Sequence, residues 1–117
     1  MAEEDGFRVT DHGDVTVIQL ETTPLASFGC PWANPLVEFI EKRQPGKVVV
    51  DLEHLNRFNG LGISALVRVV KRVREYSGQL RLCGMRGIVR EVFRITKLDK
   101  GLFQIFDTCG SARESFD

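Results

Sequence analysis

The chain has 117 residues, 43% of them hydrophobic, and its 16 acidic side chains balance its 16 basic ones. This length and apolar content suit a single domain over residues 1–117, with a core that needs neither metal nor disulfide. A net charge of zero gives no general attraction for nucleic acid, and no apolar run approaches the roughly 18 residues of a membrane span.

The placement of charges and cysteines indicates which partners and which cellular compartment suit the chain. Residues 1–30 are acidic and residues 66–97 are basic, which we interpret as solvated faces that pair partly with each other; the alternative is a basic surface for an acidic partner. Cys30, Cys83 and Cys109 are odd in number and lack metal-ligand spacing, so we expect no disulfide framework and no metal site. The amino end lacks a signal-peptide pattern, which favours the cytoplasm.

The chain is expected to open with a hairpin. Residues 7–10 and 15–20 are rich in apolar and β-branched side chains, and residues 11–14 between them favour a turn. These segments predict two antiparallel strands.

A helix and a buried strand are predicted next. Asn34 can cap a helix that has Pro35 at its first position and ends near Arg43, before Pro45. Residues 47–50 then form an apolar run that is typical of a central strand.

The second half predicts alternating helices and strands. Apolar residues at helical spacing indicate an amphipathic helix over 61–76, and the alternation in 79–83 indicates a strand. A third helix from about residue 87, a short strand over 102–106 and a weak helix over 111–116 complete the pattern. The third helix should bury Ile88, Val89, Val92, Phe93 and Ile95. This order predicts an α/β fold with a mixed sheet of about five strands and about four helices.

The junction between the central strand and the second helix is the candidate functional site. Its leading residues are Asn59, Gly60, Leu61 and Gly62, with no nucleophile or paired carboxylates, so we predict no catalytic residues. Asp51, which directly follows the predicted strand, is interpreted as a hydrogen-bond acceptor that organises the loop. The start of the second helix could also hold an anion. Its glycines match neither the P-loop nor the dinucleotide-binding fingerprint.

Three segments carry a family resemblance: VVVDLEHLNRFNGLGISAL at 48–66, GQLRLCGM at 78–85 and VREVFRITKLDKGLFQIFDT at 89–108. Together with the order of elements, they resemble the STAS domain of bacterial anti-sigma factor antagonists. The resemblance implies a STAS-like fold and a loop with an Asp-Ser-Ser-Gly-Leu-Gly-like motif, whose first serine a partner kinase phosphorylates to switch binding off.

The loop of this chain departs from that motif. Asn59 stands where the family has the aspartate, Gly60 stands at the phosphorylated serine and Leu61 at the second serine, so neither serine position has a hydroxyl. Ser64 falls at the second glycine and is the nearest alternative phosphoacceptor, but we expect a serine inside a helix to be poorly accessible to a kinase. The resemblance with this departure predicts no phosphorylation at position 60.

The resulting hypothesis is a non-enzymatic protein-binding module without a cofactor. The partner implied is an anti-sigma factor kinase or another signalling protein, bound by a monomer or weak homodimer; nucleic acid and membrane are not expected. The alternative is a sensor of a nucleotide or other anion. The predicted partner-binding residues are Glu21, Phe28, Arg57, Phe58, Asn59, Gly60, Leu61, Gly62 and Ser64.

Overall fold

The computed structural model describes residues 7–21, 33–55, 60–85, 87–95 and 103–116, without the side chains of Glu21, Ala33, Gly60, Leu61 and Ile88. Within these ranges the chain forms five strands and four helices. In chain order they are β1 Phe7–His12, β2 Val15–Glu21, α1 Ala33–Arg43, β3 Lys47–His54, α2 Gly60–Glu75, β4 Gln79–Cys83, α3 Gly87–Ile95, β5 Gln104–Phe106 and α4 Cys109–Glu114.

The strands form one mixed sheet in the order β1-β2-β3-β4-β5. β1 runs antiparallel to β2, and every later neighbouring pair is parallel. The chain reaches each new parallel strand through a helix, as parallel connections require. The predicted mixed α/β sheet is therefore confirmed.

Alternation along β3 divides the apolar side chains between two faces of the sheet. Val48, Val50 and Leu52 are fully buried in a large cluster, the main core, which packs the sheet against α1, α2 and α3. Val49 points to the opposite face and joins a smaller cluster, the second core, which α4 covers. The second core contains Val15, Val49, Cys83, Ala112 and Phe116, with Val17, Phe106 and Cys109 packed against it.

Helix ends follow the local sequence. Gln44 and Ser77 adopt the left-handed conformation, with φ of 47° and 65°, directly after the ends of α1 and α2. The amide of Gly78 then donates to the carbonyl of Val73 over 2.9 Å, which closes the last turn of α2. These stops turn the chain back into β3 and β4 as the sequence predicts.

Two sequence predictions about individual elements differ from the structure. β3 continues to His54 instead of ending at residue 50, because Asp51 and Leu52 keep the alternation and both are buried. Ile95 was expected in the buried stripe of α3 and is 65% exposed. It lies six residues after the buried Val89, a spacing that rotates it away from the inward face of a helix.

The acidic hairpin pairs with basic residues that were not expected as its partners. Arg43 Nη2 lies 2.8 Å from Asp11 Oδ2, and Lys47 Nζ lies 2.8 Å from Asp14 Oδ2. The expectation that residues 66–97 supply these cations is wrong for both pairs. The hydrogen bond from Arg43 also holds the pKa of Asp11 below its usual value.

Candidate functional site

The β3–α2 junction, residues 56–61, lies partly outside the described residues. The predicted contacts Arg57, Phe58 and Asn59 fall in this gap, as Phe28 does in the earlier gap. Gly60 and Leu61 form the start of α2. The structure thus places these two residues, which the sequence resemblance predicts to stand at the serine positions, at the first turn of a helix.

Glu21 lies at the same edge of the sheet as this junction. It is the last residue of β2 and pairs with His54, the last residue of β3, across a parallel ladder that shifts register after Gln19. Because the carboxyl ends of parallel strands meet at one edge, the backbone of Glu21 and the entry to the junction are neighbours. The described part of the predicted surface therefore has a common location.

Two of the predicted contact residues in the first turns of α2 differ in exposure. Gly62 is buried, whereas Ser64 is exposed. The expectation that a position inside the helix would hide Ser64 is wrong, because this residue lies on the outer face of an amphipathic helix.

A basic stripe continues from Ser64 along the outer face of α2. Arg68 and Lys71 follow it at intervals of four and three residues and are both exposed. Among the described residues, neither has a carboxylate within ion-pair distance, whereas Arg72 pairs with Glu41 over 2.8 Å. The stripe of Ser64, Arg68 and Lys71 is thus open to a partner.

Asp51 is an acceptor of hydrogen bonds, as predicted, although it lies within β3 instead of after it. It is 6% exposed, and its carboxylate accepts the amide of Glu53 at 2.9 Å and Nε2 of Gln19 at 3.3 Å. A Cβ at Gly84, whose φ is +73°, would lie 2.8 Å from Asp51 Oδ1. The site is closely packed around these bonds, which favours a structural role.

Cys83 and Cys109 form a disulfide, so the prediction of no disulfide is wrong. They are 26 residues apart and meet only because α4 folds back over the sheet, which no local motif signals. The Asp51 carboxylate is close to the pair, with all three potential ligand atoms within 4.8 Å of one another. Sulfurs joined in a disulfide are not the thiolates that bind a metal ion, so this cluster is not a metal site in the oxidised chain.

Two depressions in the described surface lie away from the junction. One, of about 330 Å³, is lined by the end of α2 and by β4, and another, of about 340 Å³, by Glu41, Gln44, Arg72, Glu75 and Tyr76. Neither contains a residue from the first turns of α2. In the part of the chain that the structure describes, no helix has both the length and the apolar character to cross a membrane.

Comparison with known proteins gives one family. A model described as STAS domain matches residues 10–112. BtrV of Bordetella bronchiseptica, assigned as an anti-sigma factor antagonist, is 35% identical over 65 residues, which make up 56% of this chain and 53% of BtrV. The match thus spans about half the length of that relative.

Solved structures share the fold over nearly the whole chain. A Thermotoga maritima protein assigned as an anti-sigma factor antagonist superposes with a TM-score of 0.79 at 18% identity, covering 93% of this chain and 92% of that one. A STAS domain protein of Planctomyces limnophilus superposes with a TM-score of 0.74 at 25% identity, covering 93% and 96%. The arrangement of sheet and helices is common to all three chains.

Proposed function

This chain belongs to the STAS domain family, and we propose that it is a regulatory protein-binding module that docks a signalling partner at the β3–α2 junction. The partner is an anti-sigma factor kinase or a related signalling protein, in keeping with the naming of BtrV as an anti-sigma factor antagonist. The observation that carries the proposal is the position of Gly60 and Leu61 at the start of α2, where the family resemblance expects two hydroxyl side chains.

The docking surface has two parts. The first part comprises residues 57–62 at and beside the junction, together with Glu21, Phe28 and the exposed Ser64. Burial of Leu61 against a partner would supply apolar contact area, and the absence of a Cβ in the glycines on either side of it would allow close approach to the backbone.

The basic stripe is the second part of the surface. Arg68 and Lys71 extend from Ser64 along α2 and would attract carboxylates of an acidic partner. Charges at the rim of an interface chiefly speed association, so binding through this stripe should weaken as salt increases.

We propose that this protein is not controlled by phosphorylation at position 60. A phosphoryl group needs a hydroxyl, and glycine has none. The protein acts without catalysis or cofactor, as a single domain over residues 1–117 that is a monomer or weak homodimer. Its partner class uses ATP, so the proposed place of action is the cytoplasm.

Binding to a purified anti-sigma factor kinase from the same genome tests the docking surface. Leu61→Glu should lower the affinity at least tenfold by isothermal titration calorimetry, because it buries a charge in the interface. Ile95→Glu makes the same chemical change at an exposed apolar residue of α3 and should leave the affinity unchanged. Equal affinities for both variants would place the contact elsewhere.

A further inference from the structure

The disulfide between Cys83 and Cys109 joins the last residue of β4 to the first residue of α4. Cys83 is completely buried, while Cys109 is partly exposed. A thiol from solution can therefore approach the Cys109 end of the bond more readily than the Cys83 end. The bond lies in the second core, away from the face covered by α1, α2 and α3.

Few other contacts fasten α4 to the sheet. The helix has six residues, and Ala112 and Phe116 are the buried apolar residues of this segment. Arg81 adds a hydrogen bond from Nε to Ser115 Oγ at 3.0 Å and places its guanidinium 4.5 Å from the centre of the Phe116 ring. So short a helix is not stable without its tertiary contacts.

We propose that Cys83 and Cys109 are a reversible thiol–disulfide site that controls how firmly α4 is held on the second face of the sheet. The reactants are low-molecular-weight thiols and disulfides of the glutathione class. In the oxidised chain α4 is attached covalently. In the reduced chain its attachment depends on Ala112, Phe116 and Arg81, together with the contact of Arg113 Nη1 with His12 Nδ1 at 3.2 Å. This site lies on the face of the sheet opposite α2, whose first turns carry part of the proposed docking surface.

The exchange runs through Cys109. An incoming glutathione thiolate attacks the Cys109 sulfur, the bond to Cys83 breaks, and the Cys83 thiolate leaves and takes a proton. A second glutathione thiolate attacks the glutathione sulfur of this mixed disulfide, which releases Cys109 as a thiolate and forms oxidised glutathione. Two electrons pass from two glutathione molecules to the protein, and the reverse sequence closes the bond.

The surroundings of Cys83 disfavour the ionised, thiolate form of its side chain. The sulfur is buried, and the Asp51 carboxylate lies within 4.8 Å of the pair. Burial and a neighbouring negative charge both favour the neutral thiol. The partly exposed Cys109 is therefore the point of attack when the bond opens. In the reverse sequence, the Cys109 thiolate first takes up glutathione from oxidised glutathione, and the Cys83 thiolate then displaces that glutathione from Cys109 to close the bond.

A glutathione titration of the full chain tests this chemistry. In a Cys30→Ser background, which removes the remaining cysteine, the fraction of disulfide is read by thiol alkylation and intact mass across mixtures of reduced and oxidised glutathione. We expect full reversibility, with any trapped glutathione on Cys109. Two thiols that alkylate completely after equilibration with oxidised glutathione would overturn the proposal, as would a disulfide that glutathione never opens.

Hydrogen exchange and thermal unfolding test the structural consequence. Reduction should lower the melting temperature by roughly 10 °C, as loss of a disulfide of this span does in a domain of this size. It should also speed amide exchange in α4 more than in β3. Cys109→Ser should show both effects without reductant, and Cys83→Ala provides a second variant from the other end of the bond. Equal α4 exchange in oxidised and reduced chains would overturn the proposal.

Discussion

The two faces of the sheet are held by different means. The main core packs β-strands against α1, α2 and α3 through a large set of buried aliphatic and aromatic residues, whereas the second face relies on α4, a disulfide and a few side chains. On the first face, the stabilisation comes from many buried side chains that pack together. On the second face fewer side chains pack together, and one of the bonds that attach α4 can be broken chemically.

Removal of an aromatic side chain from the main core should cause the largest loss. Phe93 is 1% exposed and packs edge-on against Phe103 with ring centres 5.6 Å apart. Phe93→Ala should lower the free energy of unfolding by about 3–5 kcal/mol, because it removes the ring and leaves a cavity. Urea unfolding measures this. A loss below about 1 kcal/mol would mean that α3 contributes little to the main core.

The matched change on the second face should cost less in the oxidised chain. Phe116 is 7% exposed and loses its contact with Arg81 in Phe116→Ala. We expect a loss of about 2 kcal/mol, since the tethered segment can relax into the space. In the reduced chain, the same substitution should also speed amide hydrogen exchange in α4. A Phe116→Ala loss as large as that of Phe93→Ala would remove the contrast between the faces.

A smaller effect is expected where α2 meets the turn after α1. The Tyr76 hydroxyl donates to the carbonyl of Pro45 over 2.8 Å, so Tyr76→Phe should cost about 1 kcal/mol at neutral pH. Burial raises the pKa of Tyr76 from 10.0 to about 12. The folded state therefore holds this proton more tightly than the unfolded state does.

The sign of that pKa shift fixes the pH dependence. The contribution is complete below the unfolded pKa of 10.0 and is lost as the pH rises toward about 12. Unfolding measured from pH 9 upward should show a steeper loss for the natural chain than for Tyr76→Phe. Parallel curves would contradict a partly buried phenol at this position.

The smallest effect on stability should come from the outer surface of α2. Arg68 is exposed, and Arg68→Glu should change the free energy of unfolding by less than about 0.5 kcal/mol. It should nevertheless weaken partner binding, mainly through slower association, and reduce the dependence on salt. Arg113→Glu places the same charge change on the exposed side of α4 and serves as the control. A loss of binding for both variants alike would indicate a general charge effect.

Local patterns were sufficient for most of the fold. Helical spacing, strand alternation, turn residues and the continuous apolar run of β3 located all nine described elements to within a few residues. Ile95 was placed wrongly because an apolar side chain at the end of a helix was taken for part of the buried stripe. Spacing along α3 would have separated it from Val89 and Phe93.

Long-range contacts and surface access were harder to predict. The Cys83–Cys109 bond depends on α4 crossing the sheet, and the partners of Asp11 and Asp14 depend on where α1 ends and β3 begins. The exposure of Ser64 was predicted wrongly, because a position within a helix does not decide whether a side chain lies on its inner or its outer face. The predicted contacts at Phe28 and residues 57–59 lie outside the described residues and stay predictions.

Incubation of the full chain with its cognate kinase and labelled ATP tests most directly whether docking alone controls this protein. Mass spectrometry would locate any phosphate, and Ser64→Ala would separate labelling at that exposed hydroxyl from labelling elsewhere. We expect no phosphate on the chain and a complex of the same affinity with and without ATP. Stoichiometric phosphorylation in residues 56–64, with release of the partner, would contradict this account.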